Sequence, residues 1–173
     1  IEIYHGDALE VLHWLRSQGR MFDGVCMDPP YASGTRAEAK KASSGAMVRG
    51  GRFADKPIEN DQMTTAGFVW LMRETCLAFR DMLHDGDSVL SFIDWRQWPN
   101  LLGAIESTNL RVNTMVVWDK LSFGLGNVFR NRHELVMHAS KGVARADSKS
   151  FGNVLPHAPD ATLADALDTL ARL

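Results

Sequence analysis

Phe22-Asp23-Gly24-Val25-Cys26-Met27-Asp28-Pro29-Pro30-Tyr31 is the stretch that decides how this chain folds. Its first six residues carry the apolar run Val25-Cys26-Met27, short enough and bounded sharply enough to be a buried strand. Asp28 then meets two prolines, which fix φ and remove two N–H donors, so neither a ladder nor a helix continues beyond Met27. Upstream, Leu9, Leu12 and Leu15 recur at helical spacing over residues 8–18. Asp7 can cap that helix and Gly19 can stop it. Ile1 to Tyr4 reads as a further strand, so strand, helix and parallel strand form a right-handed βαβ unit.

Downstream, residues 32–60 are rich in Ala, Ser, Gly, Lys and Arg and carry almost no periodicity. A segment this long directly after a Pro-Pro turn is expected to be a functional loop that orders on substrate. Thr64 or Thr65 can cap a helix whose apolar face is Phe68, Leu71, Met72, Thr75, Cys76, Phe79 and Leu83. His84-Asp85-Gly86-Asp87 reads as a turn, Ser88 to Ile93 as a strand, Pro99 to Ser107 as a helix and Leu110 to Trp118 as a strand. Residues 119–131 form a Gly-containing loop, His133 to Ala139 another strand, and Ala161 to Leu173 a final helix. Strands alternating with helices predict one α/β domain over residues 1–173, with helices on both faces of the sheet.

The formal net charge of −2 does not suggest a polyanion binder, but its distribution does. Residues 35–56 hold six basic side chains, Arg36, Lys40, Lys41, Arg49, Arg52 and Lys56, against two acidic ones, a local +4. Residues 111–149 hold seven against three, again +4, including Lys120, Arg130 and Arg132. Two basic segments on an acidic body point to a localised phosphate-binding face. No apolar run approaches the ~20 residues of a membrane span, and no signal peptide opens the chain, so a cytoplasmic location is expected. Cys26 and Cys76 lack metal-ligand spacing and read as two buried, reduced thiols, so no metal is expected.

In an open α/β sheet, ligands bind beyond the carboxyl ends of the strands. The Asp28-Pro29-Pro30-Tyr31 turn offers carbonyl acceptors on a stiff backbone, a carboxylate and an aromatic face. That set suits a planar ligand with an amino group, stacked on the ring and held through its two N–H bonds. The turn resembles the catalytic motif of the DNA N6-adenine and N4-cytosine methyltransferases. Other blocks carry the same resemblance: His5-Gly6-Asp7-Ala8-Leu9, Pro57-Ile58-Glu59-Asn60-Asp61, Phe92-Ile93-Asp94-Trp95-Arg96-Gln97, Trp118-Asp119-Lys120, and Phe129-Arg130-Asn131-Arg132-His133-Glu134. Their order is similar to that of bacterial and prophage enzymes in which the catalytic half comes first, some of them parts of restriction-modification systems. It spans roughly residues 1–142, and an Asp in the first motif position is commoner among the adenine-N6 enzymes.

The resemblance implies a Rossmann-like sheet, S-adenosylmethionine as cofactor and double-stranded DNA as substrate; a homodimer is compatible with it. The target base would be flipped out of the duplex. Asp28, Pro29, Pro30 and Tyr31 would be catalytic. Tyr31 would stack on the base, and Asp28 and the Pro29 carbonyl would accept its two amino hydrogens. Asp7 and Asp28 would contact the cofactor, Asp7 being brought near by the first parallel strand. Arg36, Lys40, Lys41, Arg49, Arg52, Lys120, Arg130 and Arg132 are the candidate DNA contacts. Trp95 and Trp118 read as core or rim aromatics. The family also carries a Lys-Pro segment and an Asp-Pro-Phe-x-Gly-x-Gly turn for the cofactor, and this chain shows neither; Phe123-Gly124-Leu125-Gly126 has the wrong spacing and reads as loop. The cofactor half is therefore expected to lie in residues absent from the sequence, in preference to a second chain or a loss of catalysis. Methylation of RNA or of a protein amide, and a non-catalytic nucleic-acid-binding half, are the competing functions.

Overall fold

The computed structural model describes residues 2–32, 63–121, 123, 128–145 and 152–156. Their elements are α1 (Ala8–Ser17), β1 (Phe22–Met27), α2 (Thr65–Arg80), β2 (Leu83–Ile93), α3 (Trp98–Glu106), β3 (Arg111–Asp119), β4 (His133–Ser140) and β5 (Val154–Pro156). The expected helix at 161–173 and the loop at 33–60 lie outside the described residues.

The five strands form one sheet in the order β1-β2-β4-β3-β5. β1 and β2 are parallel, as are β3 and β5. β4 runs antiparallel to both its neighbours, with Leu90 opposite His138 and Val116 opposite Val136. The sheet is thus mixed, and its directions bring the carboxyl ends of β1, β2, β3 and β5 to the same edge as the start of β4.

Local chemistry explains the helices. Asp7 caps α1, its carboxylate accepting from Leu9 N (2.9 Å) and Glu10 N (3.2 Å). Gly19, at φ 67°, takes the left-handed conformation that ends it. Thr64 Oγ1 accepts from Gly67 N (3.1 Å) and caps α2. Phe68, Met72, Cys76 and Phe79, spaced four, four and three apart, form the buried face of α2. α3 opens with Pro99 in its first turn and buries Leu101, Ala104 and Ile105. These three helices join Val89 and Ile93 of β2 and Leu135, Met137 and Ala139 of β4 in the larger core cluster. A smaller cluster on the other sheet face holds Leu90, Phe92, Val116 and Val136, with Tyr31, Trp118 and Leu155 packed against it.

Several expectations fail. Residues 2–4 form no strand, and Ile3 is 89% exposed. A segment this short is a strand only where a neighbouring edge exchanges hydrogen bonds with it; here Tyr4 instead packs its ring on Trp14 (5.5 Å) and Glu2 pairs with Arg20 (2.8 Å). The βαβ unit at the start of the chain is therefore absent among the described residues. The turn expected at 84–87 is instead part of β2, where the register shifts as a bulge: Phe22 pairs with Leu83 and Gly24 with Ser88. Asp87 accepts from His84 N (2.7 Å), and Gly86 stands at φ 95°. β5 has no counterpart among the expected elements. Cys76 is buried as expected, its thiol pushed up to about 12 by burial. Cys26 is exposed, on the face of β1 opposite the one that Val25 and Met27 turn to the larger core.

Candidate active site

The Asp28–Tyr31 turn leaves the carboxyl end of β1, at the shared edge. Asp28 is exposed and Tyr31 half-buried, its ring wedged against both core clusters. One side of the phenol is thus held by packing while its hydroxyl reaches the rim. That hydroxyl donates a hydrogen bond to Asp28 Oδ1. Its pKa is raised, first by burial, then by the Asp28 hydrogen bond and by the charges of Asp28, Glu134 and Asp94. The next residue, Ala32, has φ 52°, a left-handed backbone that a Cβ disfavours, so the turn closes under local strain.

Asp94 follows β2 directly. Its carboxylate accepts from Arg96 N (3.0 Å) and the Arg96 guanidinium (3.4 Å), which lies 4.7 Å over the Trp95 ring. Trp95 is exposed on the rim, whereas Trp118 is half-buried and meets Phe92 edge-on at 6.2 Å. Glu134, paired in register with Trp118, bonds the Lys120 ammonium. Asp119 accepts from Leu121 N (3.0 Å) and from Arg132 (2.6 Å), and this holds its carboxyl below the usual range. The result is a mouth where the carboxylates Asp28, Asp94 and Glu134, each at the end of a different strand, act on one phenol.

The structure therefore brings together Asp28, Pro29, Pro30 and Tyr31, with Lys120 and Arg132 on the same edge. It does not place Asp7 by the expected route, since the parallel strand that was to carry it is not formed; Asp7 is engaged in capping α1. Arg36, Lys40, Lys41, Arg49 and Arg52 lie outside the described residues. Lys120 and Arg132 already hold carboxylate partners, and Arg130 lies 5.3 Å over the Phe123 ring. Neither Asp94 nor Glu134 has a role in the reading from sequence. The signal was present, since each sits at a strand end, but which ends share an edge depends on the direction of β4.

Cys26, two residues before Asp28, has its thiol pKa pushed up by partial burial and by the Asp28 carboxylate, which disfavours a thiolate nucleophile there. Among the described residues no group of three or more His, Cys, Asp or Glu could hold a metal ion, and no helix is long and apolar enough to cross a membrane.

No family model and no curated protein matches the chain. Solved structures do. M1.HpyAVI in complex with SAM superimposes with a TM-score of 0.65 at 13% identity, covering 99% of this chain and 73% of that one. TTHA0409 from Thermus thermophilus, complexed with S-adenosyl-L-methionine, gives a TM-score of 0.54 at 13% identity over 96% of this chain and 71% of that one. PvuII DNA methyltransferase (cytosine-N4-specific) gives 0.55 at 13% identity over 97% of this chain and 61% of that one. The chain thus has the mixed-sheet, Rossmann-like fold of these methyltransferases, in a sheet that does not close.

Proposed function

We propose that the protein is an S-adenosylmethionine-dependent DNA methyltransferase that modifies an exocyclic amine of a flipped base, adenine N6 in preference to cytosine N4. The observation that carries this reading is the pairing of a half-buried phenol with an exposed carboxylate on a double-proline turn at a sheet edge. The shared fold with a cytosine-N4-specific enzyme and with proteins solved with S-adenosylmethionine bound supports it. The choice of adenine rests on Asp in the first motif position.

The residues present fit a cationic methyl donor through Asp28, an exposed carboxylate at the mouth that accepts from the neutral Tyr31 hydroxyl, whereas Asp94 and Glu134 are balanced by Arg96 and Lys120. When bound, S-adenosylmethionine supplies an electrophilic methyl group whose sulfur keeps the departing electron pair. The rest falls to this chain. Tyr31, braced from behind by Phe92 and its neighbours, presents a face for the base. Asp28 and the Pro29 carbonyl accept the two amine hydrogens, which localises the nitrogen lone pair for attack. As the N–C bond forms the nitrogen gives up one proton, and Asp28 is the accepting group. Catalysis is by positioning and preorganised electrostatics. Where Asp28 takes its amine hydrogen on Oδ1, the Tyr31 hydroxyl must first release that oxygen.

Incubation with methyl-labelled S-adenosylmethionine and duplex DNA, RNA or protein in parallel tests the reading. Label in DNA alone is expected; label confined to RNA or protein would move the activity to the competing substrate.

A further inference from the structure

We propose that the hairpin joining β3 and β4 is a DNA wedge, in which Phe123 and Phe129, with Val128 beside them, enter the base stack next to the nucleotide held at Asp28 and Tyr31. This rests on the reading of the site as one that takes a flipped base.

Three large apolar side chains stand out on one hairpin: Phe129 is 89% exposed, Val128 86% and Phe123 63%. Exposed apolar groups gathered on one segment mark a contact surface rather than ordinary surface scatter. The hairpin stem beneath them is clamped. Lys120 N donates to Arg132 O (2.8 Å), Arg132 pairs with Asp119, and Lys120 pairs with Glu134, so the two arms are tied by one backbone bond and two crossed ion pairs. Above the clamp, the Arg130 guanidinium lies over the Phe123 ring and donates to the Phe123 carbonyl (3.4 Å), bracing that ring. The aromatics are thus carried on a rigid stem, which limits the ordering cost of inserting them.

Position and charge select the partner. The stem belongs to the same sheet edge as Asp28, and Glu134 at its base acts electrostatically on Tyr31. Arg130 follows Phe129 directly in the chain, and a cation beside an apolar wedge is the composition that unstacks a base step while holding the backbone. A base drawn out of the duplex leaves a gap, and an inserted ring restores the lost stacking.

The test compares the protein and a Phe123→Ser/Phe129→Ser double variant in binding an intact duplex and the same duplex with one abasic position, where the gap already exists. The wedge predicts tighter binding of the abasic duplex by the unaltered protein. It also predicts a loss of ~10-fold or more of that affinity in the double variant, with a smaller loss on the intact duplex, whose own stacking opposes insertion. Both side chains are exposed, so the variant should melt with the parent. Equal affinity of the two proteins for the abasic duplex would overturn the wedge while leaving the methyltransferase reading intact. Binding of neither duplex, with capture on lipid vesicles instead, would overturn both.

Discussion

Removing one oxygen from Tyr31 separates its two jobs. In Tyr31→Phe the ring stays wedged against Phe92, Val136 and their neighbours, but the bond to Asp28 Oδ1 is lost. A hydrogen bond to a charged acceptor contributes about 1.5–3 kcal/mol when well protected. Asp28 is exposed and Tyr31 only half-buried, so about 1 kcal/mol is the appropriate figure here. In the free protein that energy opposes the incoming amine, because the phenol occupies an acceptor the amine uses. Tyr31→Phe should therefore lower KM for duplex DNA by roughly fivefold, since about 1.4 kcal/mol is tenfold, and change kcat by less than about twofold. Tyr31→Ala, which removes the stacking face, should raise KM by about 10-fold or more. Steady-state methyl transfer reads both. The hydrogen bond itself can be read without DNA. In a Tyr4→Phe background Tyr31 is the sole tyrosine, and its ionisation, followed by ultraviolet absorbance, should begin well above the ordinary value of 10.0. Asp28→Asn should lower that midpoint, since it removes the carboxylate's charge and its acceptance of the phenol hydrogen, while the effect of burial remains. A Tyr31→Phe enzyme with kcat reduced about tenfold at unchanged KM would refute the exchange and make the hydroxyl a partner in the reacting complex.

Asp7→Ala removes the cap of α1 and should cost about 1 kcal/mol in a denaturant titration, whatever Asp7 does toward a cofactor. His138, half-buried between β2 and β3 with Nε2 3.1 Å from Ser88 Oγ, has its imidazole held below its ordinary value by burial. Its share of stability is complete above about 6.5 and is lost as pH falls through the depressed folded value. His138→Gln should therefore shrink the fall in Tm between about pH 7.5 and pH 5.5, and an unchanged fall would remove His138 as a cause. The Asp-Pro-Phe-x-Gly-x-Gly turn of the family the chain resembles has no counterpart in the sequence, so the chain should bind S-adenosylmethionine only weakly by calorimetry; nanomolar binding would relocate the cofactor site.

Much of this architecture is legible from local chemistry. α1, β1, α2, α3 and the cores of β3 and β4 follow from periodicity, a capping Asp or Thr and an N-terminal Pro, and each forms close to where those signals put it. What local chemistry does not carry is partnership. Ile1-Glu2-Ile3-Tyr4 has strand composition, yet its described residues pair with no edge, whereas Val154-Leu155-Pro156 has almost no signal and becomes β5 because β3 offers it an edge. The antiparallel run of β4 is likewise invisible in its own sequence, yet it is what brings Glu134 and Lys120 to the rim beside Tyr31. Cys26 reads as buried because its neighbours are apolar, and it is exposed because it alternates with Val25 and Met27 onto the other face of β1. The end of β1 was legible, since two prolines after an apolar run stop the strand at Met27.

The grip of Asp28 on an exocyclic amine is tested most directly by nucleoside analysis of duplex DNA after reaction with labelled S-adenosylmethionine, comparing the protein with Asp28→Ala. N6-methyladenine from the protein and none from a folded Asp28→Ala variant is the predicted result. Undiminished transfer by that variant would contradict it.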